Sequence, residues 1–488
     1  MVVMYPQTVI DSARQYEMLR VTSGYRGDHV RALWILPAVV IAGPTLAQTP
    51  GIPVNEYGEE QYGGDYLPTT SANLGEYYIG SPNAGVAVPD ALLTLPQSVF
   101  PRTSTLALPA DRQTLPNLTP FSVPLRKDFA LGAGFNGGFS GRKKMASSGA
   151  NASSDAIMYV HYVDVGQGAG AILEFPCGVA LIDVGGEWAN DGVDGEIMFK
   201  NYLDTFFETR PYLDNTIDVV FLSHPHADHA NGAALLLPEA GGTYTIKNVV
   251  DNGLEGSRGM LGKQTKFHKT AAELGAGYTG VTVGAQVTAT GVTNANIDPL
   301  ACKGVDPIIT AFWGGRPELA NSGQYTNPNN HSVVVRVDFG RASFLFVGDL
   351  EDKGVVDLLD QYSTNPGVFD ADVYLVSHHG ADQETTDQML AAVTPRIAVL
   401  SMGTADSPDG FKYGHPRITT LDALQQAPAV VSNDFPGGPV TVLASPSAKS
   451  VFESYELTKE IYGTGWGGTI VMQATSGGVY SVGSTSAR

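Results

Sequence analysis

The sequence predicts a mixed α/β domain over residues 156–488. Three observations predict it. Short runs rich in Val and Ile, bounded by glycines, recur from residue 156 onward. Helical patterns follow many of these runs instead of being segregated from them. Polar clusters stand where apolar runs stop, as they do at the ends of sheet strands.

The elements follow in order. AIMYVHYVDVG, GAGAILEF and GVALIDVGG read as three strands, and MFKNYLDTFFETRPYL as a helix. IDVVFLS is a buried strand, ADHANGAALLLP a helix start and TIKNVVDNG another strand. Residues 252–330 read as a mixed, turn-rich insertion. HSVVVRVDFGRASFLFVGD is a hairpin turning at Gly340-Arg341. VVDLLDQY is helical, ADVYLVSHHG a strand with a polar tip, and TTDQMLAAVTP a helix. RIAVLSMG is a strand, PRITTLDALQQA a helix, and GGTIVMQATSGGVYSVG a closing hairpin.

Upstream, Arg26 and Arg31 precede the apolar run ALWILPAVVIAGPTLA, which ends in small residues of the kind a signal peptidase reads. Residues 1–47 are therefore expected to be a signal peptide with an N-terminal extension, and the protein secreted or periplasmic. At 16 residues with two prolines the run is short for a span, and the mature chain is expected to have no membrane span. Residues 48–155 lack periodicity and include GFNGGFSGRKKMASSGANASSD, an irregular leader and linker.

The formal charge is −20. Such a surface repels phosphate backbones and anionic lipid, so no basic nucleic-acid-binding patch is expected. Cys177 and Cys302 are either one disulfide or two thiols, and two cysteines are too few for a Cys-based zinc site.

The chemistry concentrates in FLSHPHADHANGAALLL, residues 221–237. With ten histidines in 488 residues, the spacing His-x-His-x-x-His arises by chance roughly 0.004 times per chain. His224, His226, Asp228 and His229 follow one apolar run, Asp183 a second, Asp349 a third, and His378 and His379 a fourth. Imidazole nitrogens and carboxylate oxygens from four strand ends suit Zn²⁺, with Mn²⁺ or Fe²⁺ as alternatives. Two cations per chain would take seven or eight such ligands, and a hydroxide held between them is a nucleophile at neutral pH. His29, His161 and His268 are assigned no chemistry, His161 as a structural strand residue and His268 as an exposed helix position. Gly166-Gln167-Gly168 reads as a tight turn, not a phosphate loop.

HPHADH (224–229) resembles the HxHxDH signature of the metallo-β-lactamase fold superfamily. YVDVGQGAGAIL, LIDVGG, NNHSVVVRVDFGRASFLFVGDLE, LVSHHGA and YGHP extend the likeness to the soluble hydrolase domain of competence-type DNA-uptake proteins and their free-standing secreted relatives. The resemblance implies a four-layer αββα sandwich with its site at one edge of two sheets. It implies one metal on His224, His226 and His331, a second on Asp228, His229 and His378, and Asp349 as the bridge. A hydrogen-bonding role is the alternative for His331, and the reverse order is the alternative within the His378-His379 pair. Asp183 would orient ligands without binding metal. Asp228, His379 and His415 are the candidate catalytic residues, His415 as general acid or substrate contact. The implied function is hydrolysis of phosphoric esters, small or oligomeric. Hydrolysis of a β-lactam or lactone, and a non-catalytic metal-binding surface protein, are the alternatives.

Overall fold

A computed structural model describes residues 156–186, 194–405, 413–432, 439–447 and 451–485. The expected signal peptide and leader lie outside these residues. Among the described residues no helix is long and apolar enough to cross a membrane.

The strands, in chain order, begin with β1 (Ile157–Tyr162), β2 (Gly170–Phe175), β3 (Gly178–Val184), β4 (Thr216–Ile217), β5 (Val219–Phe221) and β6 (Thr245–Ile246). Next come β7 (Asn248–Asp251), β8 (Gly277–Gly280), β9 (Ile308–Trp313), β10 (Val334–Phe339), β11 (Ala342–Phe346) and β12 (Val373–Leu375). The series ends with β13 (Ile397–Leu400), β14 (Val440–Ala444), β15 (Glu453–Leu457), β16 (Ile461–Gly463), β17 (Ile470–Thr475) and β18 (Tyr480–Ser484). Two sheets dominate. One is eight-stranded in the order β18-β17-β1-β2-β3-β5-β7-β8, the other six-stranded in the order β16-β13-β12-β11-β10-β9.

Side-chain alternation explains why both faces of the first sheet are apolar. Ala180 and Ile182 of β3 point into the core shared with the second sheet. Val179 and Leu181, their immediate neighbours, point to a separate cluster with Phe199, Leu203 and Phe267. Those last three come from helices α1 (Gly195–Glu208) and α2 (Gly259–Glu273), which cover the outer face. On the second sheet's side, helices α3 (Asp352–Gln361), α4 (Asp387–Val393) and α5 (Ile418–Gln426) contribute Leu358, Leu390 and Leu421 to the other core. The result is the expected four-layer αββα sandwich.

The stretch 252–330 is not merely an insertion. It supplies α2, the edge strand β8 and the edge strand β9, one for each main sheet. Weak hydrophobic alternation hid these elements: β8 is GYTG, with a single buried residue. The closing hairpin β17–β18 joins the first sheet beside β1. Cys177 and Cys302 form a disulfide, with Cα atoms 5.3 Å apart, that ties the β2–β3 turn to the chain before β9.

Parallel pairing aligns the strand ends. β3 runs parallel to β5, and β11 to β12 and β13. The chain segments leaving these strands therefore emerge along one edge of each sheet. Val333 N–H donates to Ser223 O at 2.9 Å, joining the two edges.

Candidate metal centre

Asp183, near the end of β3, is the anchor. Its backbone is left-handed (φ 55°), an unfavourable state for a residue with a Cβ and one that recurs at functional sites. Ser223 N–H donates to Oδ1 at 2.7 Å, and Ser223 Oγ–H to Oδ2 at 2.7 Å. His229 Nδ1–H also donates to Oδ2, at 2.8 Å. Ser223 has one hydroxyl proton and has used it, so at 3.0 Å its oxygen accepts from His224 Nδ1–H. Asp183 thus sets two tautomers, His229 directly and His224 through Ser223. Each ring is left with Nε2 as its ligand atom.

A backbone carbonyl does the same for His379, whose Nδ1–H donates to Ser401 O at 2.6 Å. His379 Nε2 lies 3.1 Å from Asp228 Oδ2 and 3.3 Å from Asp349 Oδ2. His229 Nε2 lies 3.2 Å from His379 Nε2 and 3.0 Å from Asp349 Oδ1. One ligand atom from each of Asp228, His229, Asp349 and His379 lies within 4.8 Å of all the others. Three of the four side chains are buried, and Asp228 retains 16% exposure.

The cluster calls for positive charge. Burial disfavours the charged His379 ring, yet the Asp349 and Asp228 carboxylates outweigh it and push His379 up to about 9. For His229, burial is outweighed by Asp349, Asp183 and Asp228, and the ring is raised well above its ordinary value. Burial likewise opposes ionised Asp349, but His229, His379 and His378 hold it well below the usual carboxylate range. Asp349 Oδ1 is buried and makes no properly directed hydrogen bond. Two imidazoles and two carboxylates, one of them with an orphaned buried oxygen, fit a divalent cation.

His224 and His226 stand beside this set. His224 Nε2 is 3.1 Å from His226 Nδ1 and 3.9 Å from Asp349 Oδ2. Asp349 is therefore the residue shared between the two groups.

Three expectations are corrected. His331 is not in the cluster. Its Nδ1 accepts from Arg316 N–H at 2.9 Å and its Nε2–H donates to Tyr325 O at 2.8 Å, so both nitrogens are committed to backbone. The next residue, Ser332, faces the site instead: Asp349 N–H donates to its Oγ at 3.1 Å, and that oxygen is 3.4 Å from His224 Nδ1. Within the histidine pair, His379 joins the four-donor set and His378 does not, its Nδ1 facing Glu384 Oε1 at 3.4 Å. His268 is buried, not exposed, with Nδ1 2.7 Å from Asp251 Oδ2 and Tyr278 OH donating to the same carboxylate.

His415 is brought to the cluster. Its ring centroid is 5.5 Å from that of His378 and 5.9 Å from that of His379. Gln167 Nε2 lies 3.4 Å from its Nδ1, so the tight turn of residues 166–168 also touches the site. That turn packs on the ligand loop itself. Gly168 has φ +139°, and a Cβ there would stand 2.5 Å from Asp228 O. Four participants escaped the sequence reading: Ser223, Ser332, Ser401 and the buried Glu384 beside His378. Hydroxyl and carbonyl partners carry no spacing signature. Glu384 had a faint one, as one of two acids, with Asp382, within five residues of a His pair.

The sheet pairing and the clustered donors define a metallo-β-lactamase fold. Residues 172–404 match the family model described as the metallo-beta-lactamase superfamily. Its fold implies a bound divalent metal, which the donor set above fits. Among curated proteins it is 24% identical over 277 residues to ComE operon protein 3 of Bacillus subtilis, covering 55% of this chain and 30% of that protein. It is 36% identical over 88 residues to Competence protein ComA of Neisseria gonorrhoeae, covering 18% and 12% of the two chains. It is 31% identical over 114 residues to Recombination protein 2 of Haemophilus influenzae, covering 23% and 13%. The chain spans less than a third of the length of these relatives.

Proposed function

We propose that the protein is an exported metal-dependent hydrolase acting on phosphoric ester bonds. The observation that carries this reading is the four-donor set of Asp228, His229, Asp349 and His379, with its atoms mutually within 4.8 Å. These four would hold one Zn²⁺, and His224, His226 and Asp349 a second. A bound cation of this kind supplies Lewis-acid activation of water and of the ester.

The remaining chemistry belongs to the chain. Asp183 and Ser401 O keep the His229 and His379 lone pairs directed into the cluster. Asp228, the most exposed of the four, is placed to accept the proton of the attacking water. His415, against both site histidines, is placed to give a proton to the leaving oxygen. Two of the relatives are named for competence and for recombination, processes of DNA, whose linkages are phosphoric diesters. The net charge of −20 disfavours a long polyanion and favours short or small esters. The disulfide supports the exported assignment, since such bonds persist in oxidising compartments.

The test is hydrolysis of bis(p-nitrophenyl) phosphate by the zinc-loaded protein, measured beside a chromogenic cephalosporin. Turnover of the phosphodiester alone is the expected result. Turnover of the cephalosporin alone would move the assignment to β-lactams, and turnover of neither would favour a non-catalytic metal-binding protein.

A further inference from the structure

Glu384 is a buried carboxylate that the ligand set does not use. It lies in the segment after His379 and is 4% exposed. Its Oε1 is 3.4 Å from His378 Nδ1, while its Oε2 is buried with no hydrogen-bond partner. A carboxylate in such surroundings is costly unless it faces a positive or hydrogen-donating group. Burial raises its affinity for a proton, and the contact with His378 opposes that rise.

The backbone around it is equally specified. His378 (φ 49°, ψ 47°) and His379 (φ 56°, ψ 15°) are consecutive left-handed residues, and Gln383 is a third at φ 74°. Side chains rarely adopt this conformation, and it persists where the surroundings over-determine it. Here it aims the two histidine rings differently. His379 Nε2 enters the four-donor set, with Nδ1 tied to Ser401 O. His378 turns Nδ1 towards Glu384 and Nε2 towards Asp349 Oδ2, 3.9 Å away, outside that set. Its ring also meets His415 edge-on at 5.5 Å.

We propose that Glu384 is a positioning residue: by accepting from His378 Nδ1–H it fixes that ring beside the metal cluster with Nε2 facing the reaction edge. His378 then stabilises charge on the substrate in the hydrolysis proposed above, on which the kinetic part of this inference rests. Glu384 stands to His378 as Asp183 stands to His229.

The experiment uses the zinc-loaded full chain and the variants Glu384→Ala, Glu384→Gln, His378→Ala and the double variant Glu384→Ala/His378→Ala. Kinetics with bis(p-nitrophenyl) phosphate should show kcat reduced about tenfold to a hundredfold in Glu384→Ala, with KM nearly unchanged. Glu384→Gln, whose amide oxygen still accepts, should recover much of that loss. The double variant should be no slower than His378→Ala alone. Additive losses, or no loss in Glu384→Ala, would overturn the proposal. A readout independent of turnover is the ¹H–¹⁵N spectrum of the histidine rings. The His378 Nδ1–H resonance should shift or vanish in Glu384→Ala while zinc content stays the same, and an unmoved resonance sinks the positioning role. If wild type turns over no ester but the resonance shifts as stated, the hydrolase reading fails and the positioning role stands.

Discussion

The Nε2 atoms of His229 and His379 face one another across 3.2 Å. Each ring spends its Nδ1 proton elsewhere, on Asp183 and on Ser401 O. Two lone pairs and the Asp228 and Asp349 oxygens therefore converge on one point, an arrangement that a cation stabilises. Zinc added to metal-free protein should raise Tm, and a chelator should lower it. At zinc a hundredfold above Kd the gain is about 2.7 kcal/mol. Differential scanning calorimetry with and without chelator measures it, and an unchanged transition would sink the assignment.

His379 and His331 separate the observed ligand set from the expected one. His379→Ala should abolish ester turnover and lower zinc content, as should His226→Ala and Asp349→Ala. His331→Ala should leave zinc content intact and instead destabilise the fold by about 1–3 kcal/mol, because it strips a partner from Arg316 N–H and Tyr325 O. Elemental analysis beside thermal unfolding distinguishes the two patterns. Loss of zinc in His331→Ala would restore that residue to the ligands. His415→Ala should slow turnover with zinc retained.

The contrast shows what the sequence could and could not convey. HPHADH lies in one short segment, and its neighbours Asp183, Asp349 and His378-His379 each follow an apolar strand, so parallel pairing made their convergence legible. The choice between His331 and Ser332 depends on one turn of backbone around Asn329, and the choice between His378 and His379 on two left-handed residues. Neither conformation leaves a periodic trace. His268 reads as exposed for a related reason. Its helix carries lysines at 263, 266 and 269, a polar pattern that conceals a histidine facing inward to Asp251.

Asp183→Asn tests the tautomer argument. The carboxylate accepts from Ser223 N–H, Ser223 Oγ–H and His229 Nδ1–H, and an amide must present NH₂ to at least one of these donors. The expected result is a folded protein with zinc affinity reduced about tenfold to a hundredfold. Competition with a chromophoric chelator measures the affinity, and wild-type affinity in the variant would contradict the assigned role.

The Cys177–Cys302 bond spans 125 residues of chain. Closing a loop of that length in the unfolded state removes entropy worth up to about 5 kcal/mol, less any native strain. Chain reduced with dithiothreitol, or the Cys177→Ser/Cys302→Ser variant, should melt at lower temperature and migrate differently from oxidised protein on a non-reducing gel. Equal melting of both forms would mean that the bond adds nothing to stability.

Acid should destabilise the domain in two stages, through a group remote from the metal centre. His161 on β1, Glu174 on β2 and Arg210 after α1 form a buried triad, with Tyr202 OH 2.8 Å from His161 Nδ1 and Tyr212 OH donating to Glu174. Burial holds His161 below 6.5, with Glu174 opposing. As pH falls below 6.5, the unfolded chain therefore gains a proton that the native ring resists, and stability declines. Burial works against the Glu174 charge, but His161 and Arg210 outweigh it and hold the carboxyl down at about 2 against an ordinary 4.5. Its contribution is fully present above 4.5 and is lost as pH falls towards 2. Glu174→Gln should cost about 3 kcal/mol at neutral pH, since it leaves Arg210 buried without a counter-charge. It should also flatten the acid limb of a Tm-against-pH curve below 4.5. A variant with the wild-type limb would place the acid sensitivity in another carboxylate.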